Sequence, residues 1–141
     1  MRYIKNEYIS QERQGEELLL LGVEDPNSWA VMPRPDELAE ELRSEYPEDF
    51  VVLLGHRNYW AEEYSGLPVD LILCGHAHGG IVRLPFVGGL LGTDRTLFPD
   101  YEGGIYHCGF ELVVSRGLGN GVPVPRLFNR PELVCVTLHA G

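Results

Sequence analysis

Two histidines one residue apart, His76 and His78, stand in "DLILCGHAHGG", where an apolar run breaks into glycine. A second phrase, "VVLLGHRN", ends an apolar run in the same Gly-His pair and adds His56. If residues 76 to 78 stay extended, both rings point to one side with Cα atoms roughly 6.5 Å apart. Each imidazole then reaches a different ion of a metal pair held ~3.5–4 Å apart, the spacing at which two-metal sites stabilise attacking and leaving oxygens. Gly75, Gly79 and Gly80 let the backbone approach an ion or a substrate without side-chain obstruction. The other reading of these residues is a polar strand end whose rings are satisfied by backbone and water.

Hard catalytic ions also want carboxylates. Asp70 cannot supply one, because four strand residues at ~3.3 Å each put it ~13 Å from the histidine end. Asp94 and Asp100 lie in the loop that follows and have no special placement. Arg83, Arg116, Arg126 and Arg130 are read first as solvated or paired with carboxylates, and only second as phosphate contacts. His107 and His139 have strand neighbours and read as surface histidines, while Trp60 and Tyr64, four residues apart, read as core. "GLGNG" at 117–121 is a turn rather than a phosphate loop, since no helix follows it.

The elements that must position these residues follow from periodicity. "YIKNEYIS", the turn-like "QERQG" and "EELLLLGV" read as a β-hairpin. "PDELAEELRSEY" is an amphipathic helix, with Pro35 at a first helical position and Leu38, Leu42 and Tyr46 along one face. "FVVLL" and "VDLILCG" are continuous apolar runs of the buried-strand type, with "NYWAEEYSG" between them as a short helix closed by Gly66. Strand, helix, strand makes a right-handed βαβ unit with parallel strands. His56 and His76 therefore emerge together at the carboxyl edge, where open α/β sheets place their ligands. After Gly80 the runs "GIYHCG", "ELVVSR" and "ELVCVTL" read as short antiparallel strands without helices between them.

The 141 residues make a single domain, long enough to bury roughly 68–70% of the surface of the unfolded chain. Residues 1–70 carry the whole net charge of −10, and the remainder balances. Such acidity repels a phosphate backbone and argues against nucleic acid as a partner, although a bound divalent cation reverses the field locally. No apolar run approaches the ~18 residues of a membrane span, and the opening residues lack the apolar stretch of a signal peptide. Cys74, Cys108 and Cys135 are unpaired in spacing and read as buried reduced thiols, which favours a reducing, cytoplasmic setting.

"GHAHGGIVRLP" resembles the G-H-x-H-G-G-Q-x-R-L-P signature of calcineurin-like metallophosphoesterases, in particular the bacterial subgroup of that signature. "IKNEYIS" with "LLLLGVEDP" is similar to that family's hairpin before its "GvdDp" turn. "FVVLLGHRNYW" is similar to its strand ending in Ser-His, and "ELVVSRGLGNGVPVPRLFNRPELVCVTL" to its closing strand pair. Gly55 in place of Ser and Ile81 in place of Gln are departures that leave the histidines alone.

The resemblance implies metal-dependent hydrolysis of phosphomonoesters or phosphodiesters, with two divalent ions (Mn, Fe or Zn) polarising the phosphoryl oxygen and activating a water. It implies that His56 and His76 share one ion and that His78 faces its neighbour. The family's Asp-x-His, Gly-Asp-x-x-Asp and Gly-Asn-His-Glu motifs do not occur here. The chain is thus expected to be the carboxyl-terminal part of a metallophosphoesterase-type αββα sandwich with mixed sheets, 1–141 forming one incomplete domain. It should hold one parallel βαβ and most of a second, antiparallel sheet. Exposed core would then favour self-association or a complementary amino-terminal half. The alternative is a non-catalytic remnant or partner subunit that binds at most one ion.

Overall fold

A computed structural model describes residues 3–13, 15–25, 33–93, 95–119, 123 and 125–139. Strands β1 (Glu7–Arg13) and β2 (Glu16–Gly22) form the expected hairpin, antiparallel and in register from Glu7 opposite Gly22 to Arg13 opposite Glu16. The strands run through most of the segment expected as turn. Helix α1 (Pro35–Glu45) follows, with Pro35 as its first residue and the Glu37 carboxylate accepting from the Arg34 amide. Its buried Ala39 and Leu42 pack on the sheet.

Strand β3 (Phe50–Leu54), the single turn α2 (Trp60–Glu63) and β4 (Leu71–Cys74) form the βαβ unit, β3 and β4 being parallel. β2 also pairs with β3 in parallel, so α1 is a second crossover and the parallel block begins one strand earlier than the sequence reading had it. A small ribbon, β5 (Arg83–Leu84) and β6 (Gly88–Gly89), stands apart, and β7 (Gly104–His107) runs antiparallel to β8 (Glu111–Val114).

The result is a mixed α/β fold around a six-stranded sheet of order β1-β2-β3-β4-β8-β7, parallel through its four central strands and antiparallel at both edges. This corrects the expected second antiparallel sheet, because β8 lies parallel beside β4 in the same sheet as β3. The reason is in its composition: Leu112, Val113 and Val114 are all buried, the two-faced burial of a central parallel strand. "ELVCVTL" is corrected too. Residues 133–138 form no ladder among the described residues, and Leu133 is 83% exposed.

One face of the sheet carries the main core, with Leu19, Leu21, Val51, Leu53, Ile72, Leu112 and Val114 beneath the helices and Trp60. The opposite face is a smaller cluster of Val52, Leu71 and Val113, with Leu18, Leu20, Leu54 and Leu73 partly covered. Trp60 and Tyr64 belong to the core side, as expected. All three cysteines are free. Cys74 is buried, which pushes its thiol pKa up to about 12, but Cys135 is exposed, contrary to the expectation for it.

At the amino edge of the parallel strands, Asp70 Oδ2 accepts from the Val51 amide and from Arg43 Nη2, both at 2.8 Å. The same guanidinium donates to the carbonyls of Pro47, Asp49 and Pro68. This network ties the end of α1 to the starts of β3 and β4 and fixes Asp70 at the opposite edge from the histidines. No helix among the described residues is long and apolar enough to cross a membrane.

Candidate functional site

At the carboxyl edge the ladders continue past the strand ends. Gly55 N donates to Leu73 O, Gly75 N to His56 O and Ser115 N to Cys74 O. With Val23 N donating to Leu54 O, these bonds hold the residues that follow β2, β3, β4 and β8 side by side, and they bring together Asp25, His56 and His76. Nδ1 of His76 lies 3.1 Å from Nε2 of His56, with the rings edge to face at 4.8 Å between centroids. Asp25 Oδ2 is 3.7 Å from the same His56 nitrogen.

The segment after β4 is not extended, which overturns the geometric premise for His76 and His78. Ala77 N donates to Gly75 O across His76, whose φ is +67°, a tight three-residue turn of the strained class. Gly80 N then donates to Ala77 O, with φ of +50° at His78 and +69° at Gly79, the signature of a type I′ turn. Gly79 is required twice over, since a Cβ there would also lie 2.7 Å from the Asn129 side-chain oxygen. Asn129 is 4% exposed and clamps the turn, its amide donating to the carbonyls of His78 and Ile81 at 2.6 and 3.1 Å.

The two turns separate the environments of the histidines. His78 Nδ1 accepts from Arg126 Nη2 at 2.9 Å, while His76 Nε2 accepts from Arg57 Nη1 at 2.9 Å and has Thr93 Oγ1 at 3.4 Å. Burial first, and then the charges of Arg57 and His56, lower the His76 pKa to about 4. Burial and Arg126 lower that of His78. His76 is therefore neutral near pH 7, the state in which imidazole binds metals.

A cleft of about 270 Å³ opens beside His76, lined in part by Arg57, Asn58, Thr93, Asp100 and Tyr101. Asp100 is thus near the histidine edge, as the sequence allowed, and Asp94 lies outside the described residues. Arg83 and Arg116 pair with Glu102 and Glu132 at 3.0 and 2.7 Å, the carboxylate pairing expected of them. His107 is exposed beside Glu111, and His139 is exposed, both as expected.

Two imidazole nitrogens about 2.0–2.1 Å from one ion stand roughly 3.0–3.4 Å apart, so the His56 and His76 pair has the spacing of two arms of one coordination shell. Among the described residues no group of three or more His, Cys, Asp or Glu could hold a metal ion. The spacing of the pair matches two ligands of one ion, but the described residues do not make up a metal site. Arg57 was not singled out from sequence. It is 7% exposed, and its Nε and Nη2 donate to Asp25 Oδ1 at 3.0 and 2.7 Å. The available signal was its place directly after a strand-end histidine in "GHRN".

The chain is 36% identical over 125 residues to an uncharacterized metallophosphoesterase of Aquifex aeolicus (strain VF5), covering 86% of this chain and 45% of that protein. It is also 36% identical over 92 residues to the uncharacterized metallophosphoesterase YkuE of Bacillus subtilis (strain 168), covering 64% of this chain and 32% of that one. It spans less than half the length of either relative. No protein-family model and no solved structure matches it. Over most of its length the chain is thus homologous to proteins named metallophosphoesterases, and that is the family its sequence supports.

Proposed function

We propose that this chain contributes the histidine side of a metal-dependent phosphoester hydrolase of the calcineurin-like class, with His56 and His76 holding one divalent ion and His78 placed toward a second. The observation that carries this reading is the 3.1 Å approach of the two imidazole nitrogens at the carboxyl edge of adjacent parallel strands. The names of the two relatives supply the reaction class. Bound divalent ions would polarise a phosphoryl oxygen and lower the pKa of a bound water. The protein's own part is to keep the His76 ring neutral, to fix the 76–81 segment through the glycine turns and Asn129, and to present the cleft lined by Asn58, Thr93 and Tyr101 to a small phosphoester. Further ligands would come from outside the described residues or from Asp25, whose Oδ2 is 3.7 Å from His56 Nε2.

The second reading is a non-catalytic protein that holds at most one ion. What favours it is the lack of a three-residue metal-binding group among the described residues. Elemental analysis of the chain equilibrated with Mn²⁺ or Zn²⁺, beside a His76→Ala control, separates the two. Two ions lost in the control, with hydrolysis of an aryl phosphate, is the expected result. One ion or none, without hydrolysis, overturns the first reading and establishes the second.

A further inference from the structure

The run "LVCVTL" at 133–138 has the composition of a strand without a strand's partners. The chain is fastened just before it. Glu132 N donates to Gly117 O at 3.1 Å, and the Glu132 carboxylate accepts from the Arg116 amide and guanidinium at 3.2 and 2.7 Å. Beyond Glu132, no backbone hydrogen bond among the described residues involves 133–138. None of these residues has a positive φ, and none is in a helix. In an extended chain Val134, Val136 and Leu138 share one side, and they are partly covered, at 37, 40 and 47% exposure. Leu133, on the other side, is 83% exposed.

A row of free amides and carbonyls on an apolar, β-branched segment is a template for another strand. Charge and symmetry select which strand. Residues 133–138 carry no charge and Glu132 is paired with Arg116, so a second copy laid antiparallel brings no like charges opposite one another. The net charge of −10 lies wholly in residues 1–70, so two copies repel least through the neutral carboxyl-terminal half. The run also complements itself. A two-fold axis through Cys135 sets Val134 against the second copy's Val136 and Leu133 against its Thr137, and it keeps each side's residues on that side, which a one-residue slip would not. We propose that residues 133–138 pair antiparallel with the same residues of a second copy of this chain, making a symmetric dimer centred on Cys135. Six residues a side bury well under the ~1,600 Å² of a standard interface, so the dimer is weak and dissociates on dilution.

The test is sedimentation equilibrium of the full chain under reducing conditions. The mass should rise from one chain toward two between ~10 µM and ~1 mM, as suits a small interface. Over the same range hydrogen exchange at the 133–138 amides should slow severalfold, and a short bis-maleimide should join Cys135 to its counterpart. The double variant Cys135→Pro, Val136→Pro removes one donor from each edge of the strand. Neither donor is used within the chain, so its Tm should match the parent's while its mass stays that of one chain throughout. A wild-type mass of one chain at ~1 mM overturns the proposal, including the case in which a different polypeptide is what pairs here. A dimer that survives the two prolines overturns it as well, since the copies then meet elsewhere. If that variant does not fold, the wild-type exchange decides: a dimer that leaves the 133–138 amides unprotected overturns the pairing. A dimer in which the reagent does not join the two Cys135 side chains overturns the register.

Discussion

Gly55 joins β3 to His56, and the residue it faces makes a sharp prediction. Its φ is not in the left-handed region, so an alanine there meets no backbone strain and would by itself stabilise the chain by about 0.4–1 kcal/mol through the unfolded state. The packing says the opposite. A Cβ on Gly55 would lie 2.0 Å from Cζ3 and 2.6 Å from Cη2 of Trp60, a side chain only 1% exposed. Carbon contacts settle near 3.5–4.0 Å, so the indole must retreat by roughly 1.5 Å into a filled core, an overpacking that costs about 1–3 kcal/mol. Gly55→Ala should therefore be net destabilising by about 1–2 kcal/mol. With an unfolding entropy of about 0.3 kcal/mol/K for a chain of this size, that is a fall in Tm of roughly 3–7 °C by circular dichroism. The cycle with Trp60→Phe identifies the cause. The phenyl ring lacks the offending indole edge, so Gly55→Ala should cost less in that background, with a coupling of about 1 kcal/mol. An alanine variant as stable as the parent, or a cost that Trp60→Phe leaves unchanged, would refute the packing argument.

Asn129→Ala should cost about 1–3 kcal/mol in urea unfolding, because it strips the buried carbonyls of His78 and Ile81 of their side-chain donor. Hydrogen exchange at the Gly80 amide, which closes the same turn, should accelerate. Glu132 gives a pH signature. Its carboxylate accepts from the Arg116 guanidinium at 2.7 Å, and this hydrogen bond holds its pKa below the ordinary value of 4.5, more than burial raises it. A lowered carboxylate pKa means stabilisation that is present above the ordinary value and lost as pH falls through the folded one. The stability gap between wild type and Glu132→Gln should therefore be full near neutral pH and close under acid below about pH 4.5. A gap that stays constant through that range would disprove the linkage.

The parts of the fold governed by local pattern were legible in the sequence. Pro35 and the four-residue spacing of Leu38 and Leu42 mark α1, and the apolar runs at 50–54 and 71–74 mark a parallel pair. What could not be read was which neighbour each strand takes. β2 reads as a hairpin strand from its turn, and nothing local shows that its other edge pairs in parallel with β3. β8 carries the same two-faced burial as β3, but the glycine-rich context around it pointed to an antiparallel sheet. His56 and His76 were legible as neighbours because Gly-His ends both runs. Their relation to His78 was not, since three positive φ values in residues 76–79 replace the extended geometry that the spacing alone suggests. Asn129 and Arg126 meet the turn from about 50 residues away, and no periodicity reports such a contact.

The distribution of charge around the histidines ties these observations together. The chain carries a net charge of −10, yet its candidate site presents two guanidinium groups to two imidazoles, with Asp25 the carboxylate that approaches them. Burial first, and after it the fixed charges of Arg57 and Arg126, lower the proton affinity of His76 and His78. The same field opposes a divalent cation, which carries twice the proton's charge. Placing a cation here therefore requires either that the guanidiniums turn away or that further carboxylates outweigh them. The two routes differ in their salt dependence. Displacement of a buried arginine from a hydrogen bond is weakly screened, whereas attraction by exposed carboxylates across the cleft fades once the Debye length falls to a few ångströms. Zn²⁺ affinity that holds steady as ionic strength rises would assign control of this site to Arg57 and Arg126 rather than to the acidic surface.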